Sequence, residues 1–403
     1  MSTQLTSLPH VLFVLRPPVE LYPPSVNQAN ILVEQGFQVS VAQESPFNGA
    51  NVDAGLSPDV KRYYTNSNTE ACSLLGRLAR VALFRSRIRR LVRQVRPEIV
   101  VGFDAEVAHS LGDSPKNCGA RLVWHFHEVP ESQQEGYSVR FANRYVWRHA
   151  QLPDLIVFPD PGRASVFAQD AGIDATTIRI VANCPRPVQD APRPLLREAL
   201  GGRLPTKARV VMYHGAVGPD HGLELAVRSL PRWPSDAVFV IKGRIRPDYA
   251  ARLGELIQHT GVRDRVILFD PGFQTVHDHY AMIAGADVGW TVLEPVSNAW
   301  KYSALASNKR FECMALGVPL IADQGPLLPE LIEGNECGFC IPHDSVEAAA
   351  TAVNRLLGDE SLRHHMAQRC RQLHLSSYNY DQQFKAVAEI LRSWTAEQKA
   401  SHQ

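Results

Sequence analysis

The stretch ASNKRFECMALGVPLIAD, residues 306–323, contains the unit from which this chain is built. Ser307 is a residue type that begins helices, and Gly317 followed by Pro319 is a combination that ends them. The apolar residues after Pro319 have the composition of a buried strand. The stretch therefore predicts a helix, a tight turn and a strand, with the helix packed on a sheet.

The start of this helix has the properties of an anion site. Helix N-termini expose unpaired N–H groups and a positive dipole end, and Asn308 and Lys309 stand at this one. We expect it to hold a diphosphate. Glu312 follows about one turn later, at a distance suited to accepting hydrogen bonds from hydroxyls such as those of a ribose. The alternatives are a surface ion pair between Glu312 and Lys309, or a lysine that is merely solvated.

The same alternation of apolar runs and helix-period segments continues along the chain, as is typical of parallel sheets with crossover helices. A chain of 403 residues is too long for one ordinary core, so two doubly wound α/β domains are predicted. The predicted strands of the first half cover residues 10–16, 38–42, 98–103, 121–126, 154–159 and 177–183. Those of the second half cover residues 209–215, 237–243, 265–270, 286–292, 319–323 and 338–342.

A proline-rich segment, NCPRPVQDAPRPLL, separates the two halves and is predicted to be the hinge. The expected domains are residues 1–185 and residues 190–379. The segment after Asp381 has apolar residues at helical spacing, so a helix over 380–398 is expected to pack back on the first domain.

Composition excludes several classes of protein. With 42 Lys+Arg against 41 Asp+Glu, the formal charge of +1 gives no field that would attract nucleic acid. The apolar runs are far shorter than the roughly 20 residues that span a bilayer. No secretory signal is visible at the N-terminus, so a cytoplasmic location is expected.

The usual cofactor and metal motifs are also missing from the sequence. There is neither a G-x-G-x-x-G turn after the first strand nor a G-x-x-x-x-G-K-[ST] loop. The histidine pairs His125/His127 and His277/His279 lack an evident third ligand, so no metal and no cofactor are predicted. Cys337 and Cys340 are interpreted as structural thiols, because no second cysteine pair accompanies them.

Several segments resemble the family 4 (group 1) glycosyltransferases. NKRFECMALGVPLIADQGPLLPELIEGNECGF resembles the family's donor-site segment, in which a Lys-x-x-Glu helix is followed by Ala-x-Gly-x-Pro, a glycine and a glutamate. MYHGAVGPDHGLELAV is similar to the first strand and glycine-rich turn of the second domain, and IAGADVGWTVLE also matches. In the first domain, WHFHEVPE resembles the segment whose histidine, here His127, lies under the donor sugar.

The resemblance implies a GT-B fold, a nucleotide-diphosphate sugar donor linked to UDP or GDP, and a carbohydrate or lipid-linked acceptor. It places the acceptor side in residues 1–185 and the donor-binding side in residues 190–379. It also implies retention of anomeric configuration and no bound metal. Glu312 would hold the ribose and His127 would position the sugar. Gly215 in the glycine-rich turn and Glu330 after the later glycine would complete the donor site. The alternative for Glu330 is a charge that only stabilises the start of a helix. The alternative for His127 is a histidine with a structural role.

The chain departs from the family pattern at informative positions. A second glutamate, usual eight residues before the ribose-binding one, is replaced by Ala304. The residues that usually clamp the diphosphate fall on Ala216 and His221. Phosphate charge would then be met by Lys309, by helix dipoles and by Lys242, unless Lys242 is an ordinary solvated lysine. The loop RPPVELYPPS replaces the usual glycine-rich loop, so the acceptor is not readable from it.

These features predict a hexosyltransferase-type enzyme of cell-surface polysaccharide or glycolipid synthesis. A nucleotide-sugar epimerase on the same scaffold is one alternative, and it would transform the donor without an acceptor. A catalytically silent binding subunit is another, motivated by the missing clamp residues.

A basic helix is predicted over residues 74–96, and it does not depend on the resemblance. The segment has eight arginines and no acid, with one apolar face formed by Leu74, Leu78, Val81, Ile88, Val92 and Val95. The apolar face is expected to pack on the first sheet. The arginines (77, 80, 85, 87, 89, 90, 93 and 96) form either a solvated face or one that lies on an anionic membrane surface, such as the inner face of the cytoplasmic membrane.

Overall fold

A computed structural model describes residues 8–47, 53–66, 74–131 and 136–401 of the chain. The side chains of residues 74, 75, 77, 78 and 398–401 lie outside that description. The chain divides into two compact units. Unit 1 consists of Met1–Asn51, Gly55–Ala182 and Tyr380–Gln403; unit 2 consists of Val52–Ala54 and Asn183–Asn379.

Unit 1 is built on a parallel sheet of seven strands in the order β3-β2-β1-β4-β5-β6-β7. Its strands are β1 His10–Val14, β2 Gln38–Gln43, β3 Lys61–Tyr64, β4 Ile99–Phe103, β5 Arg121–His125, β6 Leu155–Phe158 and β7 Arg179–Ile180. Its helices are α1 Pro23–Glu34, α2 Leu74–Val95, α3 Asp104–Leu111, α4 Tyr137–Arg148 and α5 Pro161–Ala171. Apolar residues of alternating register form one core on each face of the sheet.

Unit 2 is built on a parallel sheet of six strands in the order β10-β9-β8-β11-β12-β13. Its strands are β8 Arg209–His214, β9 Ala237–Lys242, β10 Val266–Phe269, β11 Val288–Trp290, β12 Leu320–Asp323 and β13 Gly338–Ile341. Its helices are α6 Leu196–Leu200, α7 Leu223–Ser229, α8 Pro247–His259, α9 Val276–Ile283, α10 Asn298–Lys301, α11 Asn308–Leu316, α12 Val346–Gly358 and α13 Glu360–Ser376.

The two parallel sheets confirm the prediction of two doubly wound α/β units, and each predicted strand is present. The structure adds β3, which the sequence did not reveal. Its residues, KRYY, form no apolar run because β3 is an edge strand with largely exposed side chains. The predicted ends of strands differ from the observed ones by a few residues, most of all for β7 and β11.

The last helix, α14 Tyr380–Ser401, belongs to unit 1. Tyr380, Phe384, Val387 and Leu391 lie in the same core as the inner face of α1. Tyr380 also accepts a hydrogen bond from Gln28 on α1 at 2.6 Å. The apolar spacing that predicted an amphipathic helix therefore corresponds to a buried face.

The proline-rich segment after Ala182 is anchored to unit 2. The backbone N–H of Asn183 donates to the carbonyl of Leu305 at 2.8 Å, and its side-chain amide donates to the carbonyl of Ala306 at 2.9 Å. Five residues later, the N–H of Val188 donates to His374 Nε2 at 3.1 Å. The segment thus runs along unit 2 from its first residue.

None of the helices in the described residues has the length and apolar character needed to cross a bilayer.

A buried ion pair ties α11 to the strand that follows it. Arg310 is fully buried, and its guanidinium lies 2.9 Å from the carboxylate of Asp323 at the end of β12. The guanidinium also donates to the carbonyls of Ser303 and Thr291, at 2.6 and 3.1 Å. The opening stretch therefore folds as the predicted helix, turn and strand, and Arg310 joins the helix to the strand.

We predict that Arg310→Ala lowers the free energy of unfolding by about 3–5 kcal/mol, because it leaves the Asp323 carboxylate buried without its partner. Urea unfolding followed by circular dichroism measures the change. The matched control is Arg232→Ala. Arg232 forms an ion pair with Glu347 at the surface, where the two side chains are 54% and 79% exposed. That change should cost at most about 1 kcal/mol. Equal losses for the two variants would contradict the assignment.

Candidate functional site

Glu312 lies at the centre of a polar cluster in unit 2. It is 9% exposed and occupies the second turn of α11. Its Oε2 accepts hydrogen bonds from His214 Nε2 at 2.8 Å and from His279 Nε2 at 3.4 Å. His214 is the last residue of β8, and His279 is in the middle of α9. Glu312 is therefore a buried carboxylate held by two imidazoles, and not a surface acid paired with Lys309.

The two imidazoles keep Glu312 ionised. Burial alone would raise the pKa of the carboxyl, but electrostatic attraction and hydrogen bonds from the imidazole N–H groups of His279 and His214 hold that pKa well below its usual range. Burial lowers the pKa of His214 to about 4, so this ring is neutral near pH 7 and donates its Nε2 proton to Glu312. Because Oε2 accepts the hydrogen bonds of both imidazoles, Oε1 is the oxygen that can accept a hydrogen bond from a ligand.

Lys242 is the last residue of β9 and extends the cluster. It is 4% exposed, and its Nζ lies 2.8 Å from His279 Nδ1. Burial lowers the pKa of Lys242 to about 8, and the Glu312 charge opposes that change. An ammonium donates to Nδ1, so the ring proton of a neutral His279 lies on Nε2, facing Glu312. Lys242 is therefore not a solvated lysine.

The N-terminus of α11 carries the predicted anion-binding residues. Ser307 is the N-cap, as predicted, but its side chain accepts no capping hydrogen bond from the helix. Asn308 and Lys309 are the first two helical residues, and both are partly exposed. The Nζ of Lys309 lies over the ring of Tyr213, 4.9 Å from its centroid. Burial lowers the pKa of Lys309 to about 8.

Gly215 begins the turn after β8 and lies beside Lys309. Its backbone φ angle is +113°, a value that residues other than glycine rarely adopt. A Cβ atom at this position would also lie 3.7 Å from Lys309 Cε. The turn therefore brings a bare backbone close to the lysine at the start of α11.

The two positions where the family usually places its phosphate clamp are occupied differently here. His221 is buried, and its Nδ1 donates to the hydroxyl of Tyr213 at 2.7 Å. That hydroxyl in turn donates to the carbonyl of Ala216. Burial lowers the pKa of His221 to about 3, so this ring carries no positive charge near pH 7. His221 supports the turn and does not replace a clamp cation.

Two further positions of the family pattern are not joined to the cluster by any hydrogen bond or ion pair among the described residues. Glu330 is exposed in a short π-helical turn, Pro329–Glu333. Ala304, which replaces the second glutamate of the family pattern, is fully buried.

In unit 1, His127 is fixed by hydrogen bonds on both ring nitrogens. Its Nδ1 lies 3.0 Å from Asp104 Oδ2, and its Nε2 lies 3.1 Å from Ser25 Oγ. The backbone N–H of His127 also donates to Asp104 Oδ1 at 2.7 Å. The ring is stacked between Tyr22 and Phe103, with centroids 4.5 and 5.2 Å away. His127 is 6% exposed.

Asp104 has an unusual backbone conformation at the point where β4 becomes α3. Its φ of +63° is left-handed, which is costly for a residue with a side chain. Burial alone would raise the pKa of Asp104, but electrostatic attraction and hydrogen bonds from the N–H groups of His127 lower it. The conformation aims the carboxylate at His127. Asp104 and Tyr22 also line a cavity of about 220 Å³ within unit 1.

The sequence did not reveal the partners of the predicted site residues. His214 and Asp104 stand at or just after the carboxyl ends of parallel strands, a position where functional side chains collect. Lys242, which the sequence did predict, stands at such a position as well. That position was the one available signal. Ser25 and His279 gave none, since each lies 33 or more residues from its partner along the chain.

The structure brings together three potential metal ligands that the sequence did not group. His214, His279 and Glu312 each offer one donor atom, and the three atoms lie within 4.8 Å of one another. His277, the other half of the sequence pair, is exposed and outside this cluster. Cys337 and Cys340 are buried free thiols and do not belong to it.

The basic helix α2 uses part of its arginine face within unit 1. Ile88 and Val92, both predicted to be apolar packing residues, are fully buried together with Phe84. The predicted Leu74, Leu78 and Arg77 side chains lie outside the described residues. Among the described side chains, three arginines bind other segments of unit 1: Arg80 pairs with Glu44, Arg87 donates to the Thr65 carbonyl, and Arg89 donates to the Ser110 carbonyl. Arg90, Arg93 and Arg96 are exposed.

Comparisons with known proteins agree with this architecture. Residues 201–373, which include the Glu312 cluster, match the family model described as glycosyl transferases group 1. The chain is 32% identical over 250 residues to an alpha-D-kanosaminyltransferase of Streptomyces kanamyceticus, and the match covers 61% of this chain and 56% of that protein. The chain thus spans little more than half of that relative's length.

A second relative covers more of the chain. This GDP-mannose-dependent alpha-(1-6)-phosphatidylinositol monomannoside mannosyltransferase of Mycolicibacterium smegmatis is 26% identical over 321 residues, which are 76% of this chain and 79% of the relative. Among solved structures, Anabaena Alr3699/HepE in complex with UDP-glucose has a TM-score of 0.73 at 16% identity, covering 95% of this chain and 99% of the other. These likenesses confirm the GT-B fold that the sequence predicted.

We predict that the left-handed conformation of Asp104 makes Asp104→Gly about 1 kcal/mol more stable than Asp104→Ala. Both variants lose the carboxylate, so their difference isolates the backbone strain. Urea unfolding of the two variants measures it. The control is Ala105→Gly at the next position, inside α3, where glycine should be less stable than alanine. If Asp104→Gly is less stable than Asp104→Ala, the backbone of Asp104 is not strained and the prediction is wrong.

Proposed function

We propose that this chain is a hexosyltransferase of the group 1 glycosyltransferases, whose family model residues 201–373 match. It would move a sugar from a nucleotide-diphosphate sugar to a hydroxyl group of a carbohydrate or lipid-linked acceptor. The observation that carries the proposal is the ionised carboxylate of Glu312, fixed by His214 and His279 beside the N-terminus of α11. We assign the reaction to the synthesis of cell-surface polysaccharide or glycolipid, in the cytoplasm.

The donor nucleotide would be held at its ribose by Glu312. A ribose offers two neighbouring hydroxyl donors, and an ionised carboxylate accepts from both without a change of protonation. The second oxygen of Glu312 is available for this contact because the imidazoles bind the first. Relatives whose names specify UDP-glucose or GDP-mannose support a UDP- or GDP-linked donor.

The diphosphate would lie at the start of α11. The N–H groups of this helix end, the charge of Lys309 and the bare backbone at Gly215 are adjacent there. Negative charge develops on the leaving diphosphate during sugar transfer, so a fixed positive site stabilises the transition state more than the ground state. Lys242 adds positive charge behind His279 rather than touching the phosphates.

For His127 we propose the positioning of the transferred sugar, with Asp104 and Ser25 fixing its ring. Glu330 is proposed to bind sugar hydroxyls, which its exposed position permits. Transfer with retention and without a catalytic metal is proposed from the family resemblance. On this mechanism most of the rate comes from orientation and charge stabilisation, because no side chain of the donor site needs to act as a nucleophile.

We predict that Glu312→Ala weakens binding of UDP, or of GDP if that is the donor nucleotide, by about 1.5–3 kcal/mol, the scale of hydrogen bonds to a charged group. Isothermal titration calorimetry on the full chain measures it. The control is Glu255→Ala, which removes an exposed acid of α8 in the same unit and should leave binding unchanged.

The same titrations separate the proposed function from its alternatives. Unaltered affinity in Glu312→Ala would refute the ribose contact, and a lack of affinity for both nucleotides would favour a silent binding subunit. An epimerase would convert the nucleotide sugar in the absence of any acceptor, which chromatography of the donor pool would detect.

A second proposal concerns a membrane surface. Helix α4 is free of acids and carries Arg144 and Arg148, and its Tyr137 and Phe141 are 83% and 63% exposed. It packs on α3, which also contacts α2. Exposed aromatic rings among arginines suit the boundary of an anionic bilayer. We propose that the exposed arginines of α2 and this face of α4 place unit 1 on anionic headgroups.

We predict that Arg90→Ala/Arg93→Ala weakens binding to vesicles containing anionic lipid by about 1 kcal/mol per arginine at low salt. Vesicle sedimentation measures the bound fraction. Arg232→Ala/Arg263→Ala, which removes two exposed arginines of unit 2, is the control and should have no effect. Failure of the wild-type chain to sediment with anionic vesicles at low salt would contradict the proposal.

A further inference from the structure

We propose that His214, His279 and Glu312 also form a binding site for a divalent transition-metal ion of the zinc class, and that the ion at this site excludes the nucleotide-sugar donor. The first half of the proposal stands on the geometry of unit 2 alone. The second half rests on the function proposed above. The role of the ion is to inhibit: it takes no part in sugar transfer.

The donor set is one that zinc prefers. Two imidazole nitrogens and one carboxylate oxygen are the protein ligands of a common class of open zinc site, in which the fourth position takes water or a ligand. With metal–ligand bonds of about 2.0–2.2 Å, neighbouring ligand atoms of a tetrahedral site lie about 3.3–3.5 Å apart. The His279–Glu312 distance of 3.4 Å already fits, and the His214–Glu312 distance of 2.8 Å requires a lengthening of about half an ångström.

The ligands are held in place before any ion binds. His214 ends a central strand, β8, and its ring is 2% exposed. Glu312 and His279 come from two helices, α11 and α9, that pack on each other. The side chain of His279 is 28% exposed, which leaves the cluster a path from solvent. The site is therefore both prearranged and accessible.

Lys242 opposes the ion. Its ammonium donates to His279 Nδ1 and so places the ring proton on Nε2, the nitrogen that a metal would need. An ion at Nε2 requires the proton to lie on Nδ1, where it faces the ammonium. Ligating histidines are normally stabilised by an acceptor at the second nitrogen, which is the reverse of this arrangement. Lys242 therefore makes the metal a displaceable competitor instead of a permanent component.

Metal and donor compete for the same carboxylate. An ion bound at Oε2 draws negative charge from the whole carboxylate, so Oε1, the oxygen that would accept the ribose hydroxyls, becomes a poorer acceptor. Because the two ligands exclude each other, each must weaken the other's binding by the same factor. A rise in free metal would therefore lower donor occupancy without any change of fold.

The metal site is tested with Co²⁺ alone on the purified full chain. Tetrahedral Co²⁺ bound by nitrogen and oxygen ligands has an intense visible absorption band that the hydrated ion lacks. We expect this band to appear at a stoichiometry of one ion per chain and to disappear when Zn²⁺ is added. Absence of the band, or binding only at concentrations where several surface histidines are filled, overturns the proposal.

Three variants assign the ion to the cluster. His279→Leu should abolish the band, whereas His277→Leu, two residues away on the exposed side of α9, should leave it unchanged. Lys242→Met should tighten Co²⁺ binding by about tenfold or more, the scale of second-shell effects on metal affinity. This gain cannot arise from misfolding. Equal loss in both histidine variants, or weaker binding in Lys242→Met, counts against the proposal.

Exclusion of the donor is tested by titrating UDP, and GDP separately, into the chain with and without saturating Zn²⁺. We expect at least a tenfold loss of nucleotide affinity with Zn²⁺ bound. Zn²⁺ also binds nucleotide phosphates in solution. The loss of nucleotide affinity that Zn²⁺ causes in His279→Leu measures this contribution, and it is subtracted from the loss measured with the wild-type chain. Undiminished affinity with Zn²⁺ bound overturns the exclusion. If neither nucleotide binds the metal-free chain, the proposed function fails, and the Co²⁺ band still decides the metal site.

Discussion

The hydrogen bonds from His214 and His279 to the carboxylate of Glu312 are the contacts on which the proposed donor site of unit 2 depends. A buried carboxylate is costly unless it is paired, and here its partners come from a strand end and a neighbouring helix. The need to pair this charge therefore fixes β8, α9 and α11 relative to one another. Arg310, two residues earlier, faces the other way and binds Asp323, so α11 is held from both sides.

The charges around Glu312 explain why one cluster can serve ligands of different chemistry. Lys309 and Lys242 flank the carboxylate, and both have lowered pKa values because burial disfavours their charged forms. Positive charge of this kind attracts phosphates and repels metal ions. The acceptor oxygen of Glu312, by contrast, attracts both hydroxyls and metal ions. The balance between the two lysines and the carboxylate, more than the shape of the site, therefore decides which ligand it holds.

Periodicity predicted the strands well because burial on both faces of a parallel sheet leaves an unbroken apolar run. It missed β3, whose edge position imposes no such run. At the site, the helix that carries Glu312 was predictable from local signals, namely Ser307, Gly317 and Pro319. Its histidine partners were not, because His214 is 98 residues away along the chain and only the fold brings it close. For the same reason the arginines of α2 could be counted but not divided into those that bind the protein and those that face solvent.

The two units set the tautomers of their histidines in opposite ways. In unit 1, a carboxylate faces Nδ1 of His127, so the proton lies on Nδ1 and Nε2 accepts the hydroxyl of Ser25. In unit 2, an ammonium faces Nδ1 of His279, so the proton lies on Nε2 and is donated to Glu312. The same residue type thus becomes an acceptor in one unit and a donor in the other, and the sign of the neighbouring charge makes the choice. A change of charge at Asp104 or Lys242 would therefore alter the chemistry of a histidine without moving its ring.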